Sequence, residues 1–158
     1  MVVRNVESLG DLVALSAKDL VEVRDLLTVN DLDSSDISDE LMSHFMGVKH
    51  HDQLVAVGGL EIFREEALLR SVATRSEFRG MNLAQRVIRA LEKHALEAGA
   101  SSLYLLTTTA DRYFEQLGYR RRDRSRAPES IASTSQFSDL CPESATMMCK
   151  ALPVSDAN

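Results

Sequence analysis

The stretch TRSEFRGMNLAQRVIRAL, Thr74 to Leu91, sets a glycine-bearing turn directly ahead of a strongly periodic segment. Leu83, Val87, Leu91 and Ala95 recur every four residues, with Ala84 and Ile88 alongside, which predicts a helix from Leu83 to Glu97 closed by Gly99. A helix N-terminus leaves about four backbone N–H groups without partners and is partly positive, so phosphate oxygens suit it on both counts. Gly80 lets the chain approach a ligand with no side chain in the way, and Asn82 is the kind of non-glycine residue that tolerates positive φ. Arg79 and Arg75 add charge. These residues predict a pyrophosphate over the amides of Gly80, Met81, Asn82, Leu83, Ala84 and Gln85; an ordinary helix cap is the other reading of the same residues. The loop is neither a Walker A motif, since no GKS or GKT follows, nor a dinucleotide-type GxGxxG.

Outward from this stretch the periodicity changes. On its N-terminal side, FMGVKHHDQLVAVGGLEIFREEALLRSVAT holds three apolar runs with short polar separators, HHDQ and REE, and predicts a three-stranded antiparallel meander. Gly58 and Gly59 in the middle strand imply a bulge or a close backbone approach. Further back, LVALS reads as a strand, Ala17 to Thr28 as a helix capped by Ser16 with Asp19 three residues on, and ISDELMSHF as a second, shorter helix capped by Ser38. On the C-terminal side, SLYLLTTT is apolar enough for a central strand, and ADRYFEQLG is a short helix ending at Gly118. YRRRDR reads as a strand, APESIASTSQFSDLCPES as irregular with one helical turn, and ATMMCKAL as a last strand. A strand, a helix and a further strand in the middle of the chain make a parallel crossover, so the expected fold is α/β with a mixed sheet.

A chain of 158 residues is read as one domain, 12–152, between an N-terminal leader, 1–11, and a tail, 153–158. With 44% hydrophobic and 27% charged residues it has the composition of a soluble globular protein. A net charge of -6 argues against a general nucleic-acid binder, and no apolar run approaches the roughly 18 residues needed to cross a bilayer. The N-terminus lacks an apolar signal core, which predicts a cytoplasmic protein with reduced thiols. Cys141 and Cys149 form no CxxC pair and have no His cluster near them, so no metal site is expected. Cys149 reads as a buried strand residue; Cys141, ahead of Pro142, is read as core packing or as a residue near a pocket. The run Arg120, Arg121, Arg122, Arg124 and Arg126 lacks the aromatic interleaving of a single-strand binder and reads as a solvated strand edge. His50 and His51 sit in a hairpin turn, and His44 ends the second predicted helix.

RGMNLA, Arg79 to Ala84, resembles the R/Q-x-x-G-x-G/A motif of the Gcn5-related N-acetyltransferases, and ADRYFEQLGYR resembles that family's second signature. From about Leu12 to Leu152 the order of elements is also similar. ALLRSVAT, LYLLTTTA and SIASTSQFSDLCPESA are further similar to the small acetyltransferases encoded with arsenic-resistance genes. The resemblance implies a central mixed sheet with helices on both faces and a splay between the fourth and fifth strands. It implies acetyl-CoA as cofactor, a small amino-acid-like amine as substrate, and a role in detoxification. On matching residues, the backbone of Val72, Ala73 and Thr74 would hold the pantetheine arm, with the Val72 N–H facing the thioester oxygen. Arg79 to Gln85 would hold the pyrophosphate, one Arg of the basic run being available to the 3′-phosphate. Thr109 and Phe114 would lie along the cofactor, and Thr107 and Thr108 near the substrate.

Two positions depart from that pattern. Asn82 replaces the motif's central Gly. Phe114 aligns with the family's frequent thiolate-protonating Tyr, and Tyr113, its neighbour, points about 100° away on a helix; either Tyr113 reaches the sulfur from another angle, or water serves, or the thiolate leaves unaided. The base is open as well. Glu61, in the otherwise apolar GGLEIF, lies on an exposed face or at the substrate end of the slot, where partial burial would suit it to base work. Arg70, among apolar strand residues, either holds an acidic group of the substrate or pairs with Glu61 across the hairpin. The competing functions are an acyl-CoA-binding sensor without turnover and a protein N-acetyltransferase. The final strand could pair or swap between subunits of a homodimer.

Overall fold

The computed structural model describes residues 10–140 and 143–153, with side chains except those of residues 139 and 140. Cys141, most of the expected leader and most of the tail therefore lie outside the described residues. The strands are β1 (Asp11–Ala14), β2 (Phe45–His50), β3 (Gln53–Phe63), β4 (Glu66–Thr74), β5 (Ser102–Thr107), β6 (Arg120–Arg122) and β7 (Thr146–Ala151). The α-helices are α1 (Leu20–Val29), α2 (Leu83–Glu97), α3 (Asp111–Gln116) and α4 (Glu129–Ala132). The strands form one seven-stranded sheet in the order β1-β2-β3-β4-β5-β7-β6. It is mixed: β4 and β5 are parallel, while β1–β2, β2–β3, β5–β7 and β6–β7 are antiparallel.

The chain divides into two compact units, one comprising the chain up to Gly59 with Ser71–Leu91, the other Leu60–Arg70 with the chain from Glu92 onward. In the first, Leu20, Val23 and Leu27 follow the helical period and are buried with Leu54, Val57, Met42, Phe45 and Ala73. The predicted cap holds: the Ser16 N–H donates to Asp19 Oδ2 at 2.9 Å, though the first turn, Ala17–Asp19, is 3-10. His51 and Asp52 both take positive φ, 51° and 63°, the backbone of a two-residue hairpin turn whose twist suits paired strands.

The two glycines of β3 are close approaches. A Cβ on Gly58 would lie 2.9 Å from Leu91 and 3.0 Å from Val87, so α2 packs on bare backbone there. A Cβ on Gly59 would lie 2.4 Å from the ring of Phe45, its register partner. The register shift falls instead between Val48 and Lys49. The amide of Leu54, the partner of Lys49, donates to Glu22 Oε2 at 2.8 Å.

The expected second helix does not form. Leu41–His44 is a single 3-10 turn, with Ser38 Oγ accepting from the Leu41 N–H at 3.1 Å, and Phe45 already belongs to β2 opposite Gly59. Ile37 and Met42 are both buried, so the short segment is tied down at each end before an α-helix can extend. The strand read in YRRRDR is only Arg120–Arg122, and Arg124–Arg126 is a 3-10 turn; the segment read as irregular, from Ala127 on, is more helical than expected, holding α4 and then a π-turn at Gln136–Leu140.

In the second unit, β5 pairs along its whole length with β7, from Ser102↔Ala151 to Thr107↔Thr146. Its pairing with β4 runs over Glu66↔Ser102, Ala67↔Leu103 and Leu68↔Tyr104, at the start of both strands. Among the described residues no helix is long and apolar enough to cross a membrane.

Candidate active site

Helix α2 begins where the periodicity of its leucines begins. Gly80 has φ 80° and Asn82 φ 61°, so the two residues singled out for left-handed backbone both adopt it. Nothing lies within 4 Å of where a Gly80 Cβ would stand, so it is φ, and not space, that favours glycine there. The Arg86 N–H donates to the Asn82 carbonyl at 3.1 Å and starts the helical ladder. The amides of Leu83, Ala84 and Gln85 precede that bond and, by helix geometry, point out of the N-terminus. The flanking arginines are anchored: Arg79 Nη2 donates to Asn30 Oδ1 at 2.7 Å, and Arg75 Nε donates to the Leu54 carbonyl at 2.9 Å. Arg79, exposed and hooked to the end of α1, sets its charge beside the loop; Arg75 spends part of its guanidinium on β3.

Ahead of that loop, Val72 and Thr74 are half-buried and Ala73 lies in the core of the first unit. Ser71 has φ 58° inside β4. A left-handed non-glycine residue within a strand is strained, and Val72 follows it in the chain. Nothing in the letters LLRSVAT announces it, because serine has no preference for this conformation.

In the second unit, Arg70 Nη1 donates to Glu61 Oε2 at 2.9 Å. The cross-strand pair, one of the two readings of these residues, is the one formed. The Arg70 side chain is 1% exposed and that of Glu61 is 18% exposed, so the carboxylate is the reachable member. Thr107 Oγ1 accepts from the Ala110 N–H at 2.9 Å and closes the turn from β5 into α3, while Thr108 and Thr109 are exposed. Phe114 is buried with its ring edge-on to Tyr119 at 5.6 Å and to Tyr113 at 5.4 Å. Tyr113 is 36% exposed.

The end of α3 is fixed by a polar knot in the same unit. Glu92 Oε2 accepts from the Tyr119 hydroxyl at 2.8 Å and from Lys150 Nζ at 3.0 Å, and Lys150 also donates to the Leu117 carbonyl at 2.9 Å. Cys149 is half-buried, and burial pushes its thiol up despite a hydrogen bond with Tyr104, which suits packing rather than nucleophilic chemistry. Arg120 to Arg122 are exposed on β6, and Arg121 pairs with Asp111 and Glu115. Arg124, by contrast, is engaged with three backbone carbonyls. Among the described residues no group of three His, Cys, Asp or Glu could hold a metal ion.

The fold is α/β: a mixed seven-stranded sheet whose parallel pair, β4 and β5, is joined by the crossover helix α2. The chain belongs to the acetyltransferase (GNAT) family, whose sequence profile matches residues 12–119. A search of curated proteins by sequence finds no match. Solved structures share the fold at low identity. N-acetylglutamate synthase from Neisseria gonorrhoeae, complexed with coenzyme A and N-acetyl-glutamate, superposes with a TM-score of 0.80 at 15% identity over 90% of this chain. This chain spans only 35% of that one. Rv2747 from Mycobacterium tuberculosis, in complex with coenzyme A, gives 0.73 at 15% identity, with 90% of this chain and 99% of that chain covered. An acetyltransferase of the GNAT family from Staphylococcus aureus Mu50 gives 0.71 at 13% identity, with 90% and 99% covered.

Proposed function

We propose that this protein is an acetyl-CoA-dependent N-acetyltransferase that acetylates a small primary amine. The observation that carries this reading is the start of α2: φ 80° at Gly80 and 61° at Asn82, open space over Gly80, and outward amides at Leu83 to Gln85. That arrangement suits a diphosphate, the recognition handle of coenzyme A. On this reading Val72 to Thr74 offer backbone groups to the pantetheine arm, and the Val72 N–H stabilises the oxyanion that develops on the thioester.

Glu61 is assigned as the base. It takes a proton from the attacking amine, directly or through water, as nitrogen bonds to the carbonyl carbon. Arg70 is read as the residue that positions Glu61 and not as a direct ligand of substrate, because its side chain is 1% exposed. The tetrahedral intermediate collapses with cleavage of the C–S bond, and the thiolate takes a proton from Tyr113 or from water. Phe114 has no proton to give and is packed against Tyr119. A thiol is far more acidic than an alcohol or an amine (about 8.5 for the cysteine thiol), so departure of the thiolate asks comparatively little of an acid.

The competing reading, a binding module without turnover, draws on Phe114 at the position of the family's usual tyrosine. Release of free thiol from acetyl-CoA over a panel of primary amines separates the two. Amine-dependent release supports the transferase; binding of acetyl-CoA with no release over the panel supports the module.

A further inference from the structure

The second unit carries a wall beside Glu61 that the reaction as described does not use. Register places its residues on one sheet face. Leu68 lies opposite Tyr104, Tyr104 opposite Cys149, and Leu106 opposite Met147. Side chains two apart on a strand share a face, so Arg70 is on the face of Leu68 and Glu61 on that of Phe63. Leu68, Tyr104, Ile131 and Met147 are buried together there, with Phe63, Leu106 and Phe137 half-buried against them. The reachable carboxylate of Glu61 and a partly open apolar surface therefore belong to one face.

Ile131 and Phe137 come from the segment after β6, and Arg124 clasps that segment. Arg124 Nη1 donates to the carbonyls of Glu143 at 3.1 Å and Ala145 at 3.2 Å, and Nη2 donates to that of Phe137 at 3.1 Å. Its guanidinium also stacks 4.6 Å over the Phe137 ring. One planar fork thus joins the two ends of a connection that would otherwise depend on short helical turns, and it fixes the ring of Phe137 from above.

We infer that this segment is the acceptor-specificity wall, with Phe137 contacting the substrate and Arg124 acting as its positioning residue. The acceptor class is a primary amine carrying an apolar or aromatic group: the ammonium goes to Glu61 and the apolar body lies along Phe63, Leu106 and Phe137. This rests on the assignment of Glu61 as the acceptor-side carboxylate.

The test is steady-state kinetics at saturating acetyl-CoA with 2-phenylethylamine, 3-methylbutylamine, ethanolamine and putrescine, on wild type, Phe137→Ala, Arg124→Gln and Arg124→Lys. Wild type should favour the two apolar amines in kcat/KM by about tenfold or more, and Phe137→Ala should bring that ratio to within about threefold of unity. Arg124→Gln should raise KM for 2-phenylethylamine by about tenfold while KM for acetyl-CoA stays within about twofold, and Arg124→Lys, a cation without the planar fork, should restore only part of the loss. If Arg124→Gln does not fold, the Phe137→Ala ratio decides alone. Acetylation of none of these amines by the wild type would overturn the proposed function and this inference together. Turnover with an unchanged ratio in Phe137→Ala, or a preference for ethanolamine, would overturn this inference alone.

Discussion

The start of α2 and the hairpin bearing Glu61 and Arg70 achieve order by different means. At α2 the chemistry is in the backbone: Gly80 and Asn82 are left-handed, the helix exposes its first amides, and the side chains serve mainly to anchor the turn. At the hairpin the chemistry is in two side chains, one almost wholly buried and one reachable. Backbone sites leave a mark in sequence because few residue types tolerate their dihedral angles. Side-chain sites leave a weaker mark, since a charged residue in an apolar strand says that a partner exists but not which one.

The contrast can be broken experimentally, beginning with the largest effect. Arg70→Ala removes the buried member of an ion pair and leaves Glu61 without its partner. It should cost about 3 kcal/mol, a fall in Tm of roughly 6–12 °C in a thermal melt, with activity abolished. An unchanged melt would mean that the pair is not part of the second unit's core. Glu61→Gln keeps a hydrogen-bond acceptor for Arg70 but removes the base. Its kcat should drop by about 100-fold with Tm moving less than about 4 °C, measured by thiol release.

Tyr113→Phe should lower kcat by less than about tenfold, because the leaving thiolate needs little help. A loss near a thousandfold would assign the proton to Tyr113. The smallest effect lies far from chemistry, at Asp19. Burial alone would raise its carboxyl, but hydrogen bonds from Lys49 and the Ser16 N–H outweigh burial and hold it below the ordinary 3.8. Its folded-state value is depressed, so its contribution is present above pH 4 or so and is lost as pH falls through that lower value. Asp19→Asn should cost ~1 kcal/mol at pH 7, roughly 2–4 °C, and flatten the decline of Tm between about pH 5 and pH 2. An identical acid limb in the variant would contradict this.

The same contrast explains what the sequence disclosed. The limits of α2, Leu83–Glu97, follow from one unbroken period and a closing glycine, and the meander from the change of period on its N-terminal side. Asn82 was legible because asparagine is among the few residues suited to φ near 60°. Ser71 was not: serine has no preference for the left-handed backbone it adopts there. ISDELMSHF has helical residues, but Ile37, Met42 and Phe45 are each claimed by tertiary packing, and only a 3-10 turn is left. Arg124 sat in an arginine run that read as a solvated edge. Its neighbours on β6 are exposed, and only the folded path of the later segment brings three carbonyls to it. Glu61 and Arg70 were legible as a pair, and their division into a reachable and a buried partner was not.

The central claim is that the amides and left-handed residues at the start of α2 hold the diphosphate of coenzyme A. Calorimetric titration of wild type and Gly80→Val with coenzyme A tests it directly. A β-branched residue is strained at φ 80°, yet its side chain meets open space, so the unliganded variant should melt within a few degrees of wild type. Binding by wild type, weakened by about tenfold or more in the folded variant, about 1.4 kcal/mol, is the predicted result. Equal affinity in the two proteins, or no binding by wild type, would contradict it.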